Sequence, residues 1–102
     1  MERFGTQEAR DIWMGSSTKP ARRTLPQNLH TKAALQLDTV LNTATLADCS
    51  NYPPGWRFKA LQGNLQGMYQ IRVNDQYRIR FQWDPNFRAV AITIGEFHGE
   101  NE

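Results

Sequence analysis

The chain has one cysteine and two histidines in 102 residues. A single thiol, Cys49, cannot close a disulfide within the chain, and one cysteine with His30 and His98 cannot furnish a metal cluster. Neither kind of staple organises the fold, and no metal or organic cofactor is expected. Cys49 reads as a small buried apolar residue rather than a reactive thiol. No apolar run is long enough to cross a bilayer, and the opening MERFGTQEAR lacks the apolar stretch of a secretion signal. With the lone cysteine, this points to a reducing cytoplasm and no membrane contact. Charge of one sign is also scarce: 12 Lys and Arg stand against 10 Asp and Glu, a net charge of +2. Such a balance permits nucleic-acid binding without demanding it, so the placement of the charges carries the argument. No internal repeat is visible.

What is present suits one packed domain over residues 1–102, with 39% hydrophobic and 11% aromatic residues. The first half reads as helices. Thr6 is placed as an N-cap, with Glu8 in the first turn and Ala9, Ile12 and Trp13 on one face. Lys19-Pro20-Ala21-Arg22-Arg23 reads as a basic loop; plain solvation is its simpler explanation, and tracking of a phosphate chain is the functional one. Thr24-Leu25-Pro26-Gln27 has the spacing of a capping box and is expected to open the main helix. Leu29, Ala33, Leu37, Val40 and Leu41 form its apolar stripe, with Lys32, Gln36 and Asn42 opposite. His30 is expected to be solvated. Thr43 to Asp48 reads as a further short helical turn, and Asn51-Tyr52-Pro53-Pro54-Gly55 breaks the chain into halves.

The second half, Trp56 to His98, holds most of the aromatics and half of the Lys and Arg. It alternates as strands do. Tyr69, Ile71 and Val73 share one face, with Gln70 and Arg72 on the other; Tyr77, Ile79, Phe81 and Trp83 share one face, with Arg78, Arg80 and Gln82 on the other. A two-residue turn at Asn74-Asp75 would set Ile71 against Arg78 and mix the faces. A three-residue loop, Asn74-Asp75-Gln76, pairs Val73 with Tyr77, Ile71 with Ile79 and Tyr69 with Phe81. It also sets Arg72 directly opposite Arg78, with Arg80 on the same face. Facing like charges destabilise a ladder unless an anion sits at them. An anion site and a set of splayed, solvated arginines both remain open. The last strand is expected at Ala89 to Ile94, with Val90, Ile92 and Ile94 on the core face. Strict alternation would carry Glu96 and His98 inward, so a bulge or strand end is expected near Gly95. A frayed, solvated tail is the simpler reading of Glu96-Phe97-His98. Lys59 falls on the face opposite Phe58, and Gln62 to Gly67 is too loose a glycine pattern to be a phosphate loop.

Beyond these patterns lies a resemblance. Pro53-Pro54-Gly55, Arg57-Phe58-Lys59-Ala60-Leu61-Gln62-Gly63-Asn64, Gly67, and Gln70 to Phe81 resemble the HigB toxins of the RelE/ParE superfamily. Those toxins close on an acidic-Tyr-His triplet, where this chain has Glu96-Phe97-His98. The resemblance implies a compact α+β RelE-like fold, with N-terminal helices packed on a small antiparallel sheet. It implies the toxin of a bacterial type II toxin–antitoxin system, an endoribonuclease that cleaves mRNA on the ribosome. A helix-turn-helix, HigA-like antitoxin would neutralise it, and operator DNA would be met only through the antitoxin complex. By motif, Arg78 is the phosphate-binding arginine, His98 the C-terminal histidine that gives or takes a proton, and Glu96 the acidic member. Lys59 stands where some members have a histidine. A lysine ammonium supplies charge to a phosphate better than it serves as a general base. Arg72, Arg80, Phe97, Lys19, Arg22 and Arg23 are the candidate RNA contacts. Phe97 lacks the usual phenol but retains a ring for stacking. Two other readings stand beside this one. The chain is a non-enzymatic ParE-like inhibitor of DNA gyrase, or a binding and repressor component without activity; the shared fold does not decide among them.

Overall fold

The computed structural model describes residues 2–97. Helix α1, Gln7–Met14, starts where Thr6 Oγ1 accepts a hydrogen bond from the Ala9 amide at 3.2 Å and buries Ala9 and Ile12. The basic stretch expected as a loop is instead a second helix, α2, Lys19–Thr24. Thr18 caps it by accepting from the Ala21 amide, Pro20 lies in the first turn where its missing N–H costs nothing, and Ala21 is fully buried. Thr24 therefore ends a helix rather than opening the main one. Leu25 precedes a proline, which disfavours helical geometry, and it drops into the core in an extended conformation. The main helix, α3, begins only after a 3-10 turn at Gln27–Leu29 and runs His30–Leu41. Its buried face is Ala33, Leu37, Val40 and Leu41, as expected. It also contains Gln36, which periodicity had placed on the polar side. His30 is half-buried, its Nε2 at 2.8 Å from the Leu25 carbonyl.

Four antiparallel strands follow in meander order: β1 Lys59–Ala60, β2 Met68–Arg72, β3 Arg78–Asp84 and β4 Arg88–Gly95. The hairpin between β2 and β3 has the expected three-residue loop. Ile71 faces Ile79, Tyr69 faces Phe81, and the Val73 amide donates to the Tyr77 carbonyl at 3.0 Å. Asn74 Oδ1 accepts from the Gln76 and Tyr77 amides and fixes the turn. Ile71, Ile79 and Phe81 are fully buried beneath α1 and α3. Tyr52, Trp56, Phe58 and Tyr69 extend this core as a continuous set of ring contacts ending on Phe81.

β4 departs from strict alternation earlier than expected. Gln82 faces Val90, but Arg80 faces Thr93, so β4 carries one extra residue, with Ala91 at φ 52°. This bulge puts Ala89 in the core with Ile92 and Ile94, whereas Val90 shares a row with Gln82 and stands outside the core cluster. The bulge meets the N-terminal extended piece. Phe4 bridges Ile92 in parallel, the Gly5 amide donates to the Ile92 carbonyl at 2.7 Å, and the Ile92 amide donates to the Arg3 carbonyl at 3.0 Å. A Cβ at Gly5 would lie 2.8 Å from the Thr93 methyl and 3.1 Å from the Ala91 carbonyl, so the approach requires glycine. Arg3 adds two side-chain bonds, to the carbonyls of Ala89 and Leu41.

A polar thread crosses the core edge below α3. Cys49 Sγ donates to Tyr52 Oη at 3.5 Å, and Tyr52 Oη contacts Thr43 Oγ1, which donates to the Thr39 carbonyl at 2.7 Å. Burial pushes the ionisation of both the Tyr52 phenol and the Cys49 thiol upward. The unfolded chain therefore loses these protons at a lower pH than the folded one. Stability is fully present below about pH 8.5 and falls as pH rises above it. Tyr52→Phe should cost about 1 kcal/mol at pH 7 and flatten the alkaline decline, as urea unfolding at pH 7 and pH 10 will read.

Candidate nucleic-acid interface

The outer face of the sheet carries two polar rows. Lys59 of β1 faces Gln70 of β2, which faces Arg80 of β3, which faces Thr93 of β4; beside them run Arg72, Arg78 and Gly95. The three arginines, alike in the strand pattern, have different surroundings. Arg72 forms an ion pair with Asp75 in the hairpin loop. Arg78 turns its guanidinium to the carbonyls of Asn74 and Tyr77, the latter at 3.1 Å. The facing charges are thus held by an exposed carboxylate and by backbone dipoles, not merely splayed into water.

Arg80, expected among the solvent-facing arginines, is 3% exposed. Its Nε donates to Gln70 Oε1 at 2.9 Å, and its guanidinium lies 4.2 Å from the centre of the Phe97 ring. Strand β4 ends at Gly95, as expected, and Phe97 folds back over this row. A Cβ at Gly95 would sit 3.3 Å from the tip of the Phe97 ring, so glycine lets the ring lie down. The simpler frayed-tail reading does not hold for Glu96 and Phe97. Glu96 is exposed but accepts from Gln76 Nε2 at 2.9 Å. His98 lies outside the described residues.

Arg72 and Arg78 open onto a cleft of about 370 Å³ lined also by Arg57, Lys59, Gln70 and Asp75. Four of these six residues are cations and one is a carboxylate. Arg57 was not singled out as a site residue by strand periodicity, because it precedes β1 on irregular chain. It follows the 3-10 turn Pro54–Trp56 with φ 49°, a left-handed conformation uncommon outside glycine. The signal for it was its place in the Pro-Pro-Gly segment. Lys19, Arg22 and Arg23 are exposed on α2, which packs on α1, and do not line the cleft. Among the described residues no group of three His, Cys, Asp or Glu side chains is placed to hold a metal ion. What the cleft can do is hold a phosphodiester: planar guanidinium forks and an ammonium converge on one concave site that raises the local concentration of anions.

Residues 17–94 match the family model described as the RelE-like toxin of the type II toxin–antitoxin system HigB. The chain belongs to the HigB-like toxin family. Toxin HigB-1 of Vibrio cholerae serotype O1 is 36% identical over 78 residues, 74% of this chain and 81% of that relative. The α+β architecture is that expected of such a toxin, and an antitoxin is the partner its system implies. The family match takes in every residue that lines the cleft and stops short of Glu96, Phe97 and His98. No helix among the described residues is long and apolar enough to cross a membrane.

The one carboxylate among the lining residues of this toxin opposes the others. Asp75→Asn removes it and frees Arg72. Affinity for a single-stranded RNA oligonucleotide should rise about threefold at low salt and converge with the parent at high salt. Fluorescence anisotropy across a salt series checks this; equal affinity at low salt would show that the cleft is not where RNA charge is met.

Proposed function

We propose that this HigB-like toxin is a ribosome-dependent mRNA endonuclease of the cytoplasm, neutralised by a HigA-like helix-turn-helix antitoxin through which it reaches operator DNA. The observation that carries the reading is the convergence of Arg57, Lys59, Arg72 and Arg78 on one cleft at the end of the β2–β3 hairpin. Cleavage by an RNA chain's own 2′-oxygen asks for this. The 2′-hydroxyl loses its proton, its oxygen bonds to the adjacent phosphorus, and the 5′-oxygen of the next nucleotide leaves with a proton. The products are a 2′,3′-cyclic phosphate and a free 5′-hydroxyl. Negative charge gathers on the non-bridging oxygens as the phosphorus becomes five-coordinate, and preorganised cations stabilise that state more than the starting diester.

In this reading Arg78 and Arg72 hold the non-bridging oxygens, with Lys59 and Arg57 completing the electrostatic cradle. His98 and Glu96 carry the proton transfers, His98 having the ionisation range suited to both directions near neutrality. Phe97, backed by Arg80, supports a base by stacking. Lys19, Arg22 and Arg23 form a separate basic group on α2 that meets ribosomal RNA.

Short induction without the antitoxin, followed by mapping of 5′ ends, should show cuts in translated messages and none in untranslated ones. Arg78→Ala should lower the cleavage rate about 10²- to 10³-fold while the protein remains folded by circular dichroism. His98→Ala should lower it as well and remove one limb of the pH–rate profile. Intact messages together with an induced DNA-damage response would replace this reading with gyrase inhibition. Intact messages with normal growth would mean a component that binds without cutting.

A further inference from the structure

Two side chains of α3 reach the hairpin that carries Arg72 and Arg78. Gln36 Nε2 donates to the Arg72 carbonyl at 2.9 Å, and Lys32 Nζ donates to the Val73 carbonyl. β1 is only two residues long and reaches no further along β2 than Gln70. Beyond that point the edge of β2 has no strand beside it among the described residues. Gln36 meets the Arg72 carbonyl there instead, and Lys32 meets the Val73 carbonyl at the hairpin end.

Gln36 is an unusual residue for the place it holds. It is 1% exposed, on the same buried face as Ala33, Leu37 and Val40. Its Oε1 has no hydrogen-bond partner. A buried amide with one end unpaired carries a desolvation cost that methionine or leucine would avoid. Packing alone does not account for glutamine here, whereas the Arg72 carbonyl does. Arg72 faces Arg78, and facing like charges push a hairpin end apart unless the backbone is restrained.

We propose that Gln36 and Lys32 are positioning residues of the cationic cleft. They fix the backbone at Arg72 and Val73 from the helix side, so that the Arg72 and Arg78 guanidinium groups stay together in the cleft against their mutual repulsion. Neither residue lines the cleft. They act through the hairpin, and the functional half of the inference rests on the phosphodiester role proposed above.

The test pairs amide hydrogen exchange with binding of a 2′-O-methyl RNA oligonucleotide, which lacks the nucleophile and so reports binding without cleavage. Gln36→Met removes the donor and the orphaned oxygen together. It should melt within about 3 °C of the parent, yet exchange the Val73 and Tyr77 amides about tenfold faster and bind the oligonucleotide about tenfold more weakly. Lys32 is exposed, so Lys32→Met leaves the core intact. It should act in the same direction, and Lys32→Arg, which restores a donor to the Val73 carbonyl, should recover both readouts. Unchanged exchange at Val73 and Tyr77 in both methionine variants overturns the proposal. So does faster hairpin exchange with unchanged affinity, and so does a large loss of melting temperature with exchange accelerated throughout the sheet. Should the parent protein itself fail to bind the oligonucleotide while hairpin exchange responds as expected, the phosphodiester reading of the cleft falls and the positioning of the hairpin by α3 is supported.

Discussion

Two arginines face each other across the β2–β3 ladder, and much of the molecule is arranged around that pair. The pairing is forced from the other side of the sheet. The register that places Arg72 against Arg78 also places Ile71 against Ile79 and Tyr69 against Phe81. A slip by one residue would part the charges but turn the core residues to water. Burying a side chain of that size contributes about 1.5–3 kcal/mol, while a facing like-charge pair costs less than about 1 kcal/mol. The core wins, and the repulsion is offset locally. Asp75 meets Arg72, the Asn74 carbonyl meets Arg78, and α3 holds the carbonyls of Arg72 and Val73. The concentration of positive charge at the cleft is thus a consequence of how the hydrophobic face had to pair.

Much of this was legible in the order of residues. Alternation placed β2 and β3, the parity of the faces selected the three-residue loop, and the Arg72–Arg78 pair followed from it. Thr6 announced the start of α1. Where the reading went astray, a local rule had been outweighed by a neighbour. The capping-box spacing at Thr24 was overridden by Pro26, which holds Leu25 extended and delays α3 to His30. Thr18 as a cap and Pro20 in the first turn marked a helix start that the basic charges of the next residues obscured. Ala91 hid a bulge, because nothing in a run of small and β-branched residues shows where an extra residue is taken up. The bulge is legible only once the N-terminal strand is seen docking at Ile92.

The candidate site was legible to the extent that it is built on strands. Lys59, Arg72 and Arg78 sit on paired rows; parity found Arg72 and Arg78, and the family resemblance picked out Lys59. Arg57 sits on irregular chain after a 3-10 turn, where period carries no information. Arg80 was assigned to the right face but the wrong environment, since what buries it is a ring that comes from beyond the end of β4. Gln36 was misplaced because an amide looks polar in any pattern. Only the carbonyl above it makes a buried position favourable.

The parallel pairing of Arg3, Phe4 and Gly5 with Ile92 joins the first described residues to the last strand. Nearly the whole chain must be made before that seam can close. At typical synthesis rates the early segment waits on the order of ten seconds for its partner. Until then β4 is missing, the outer face lacks the ring that covers Arg80, and the core lacks Ile92 and Ile94. Such a topology delays closure of the N-terminal seam until β4 has been synthesised, after every residue that lines the cleft. A growing chain that has not yet reached β4 therefore lacks both the N-terminal seam and the ring over Arg80.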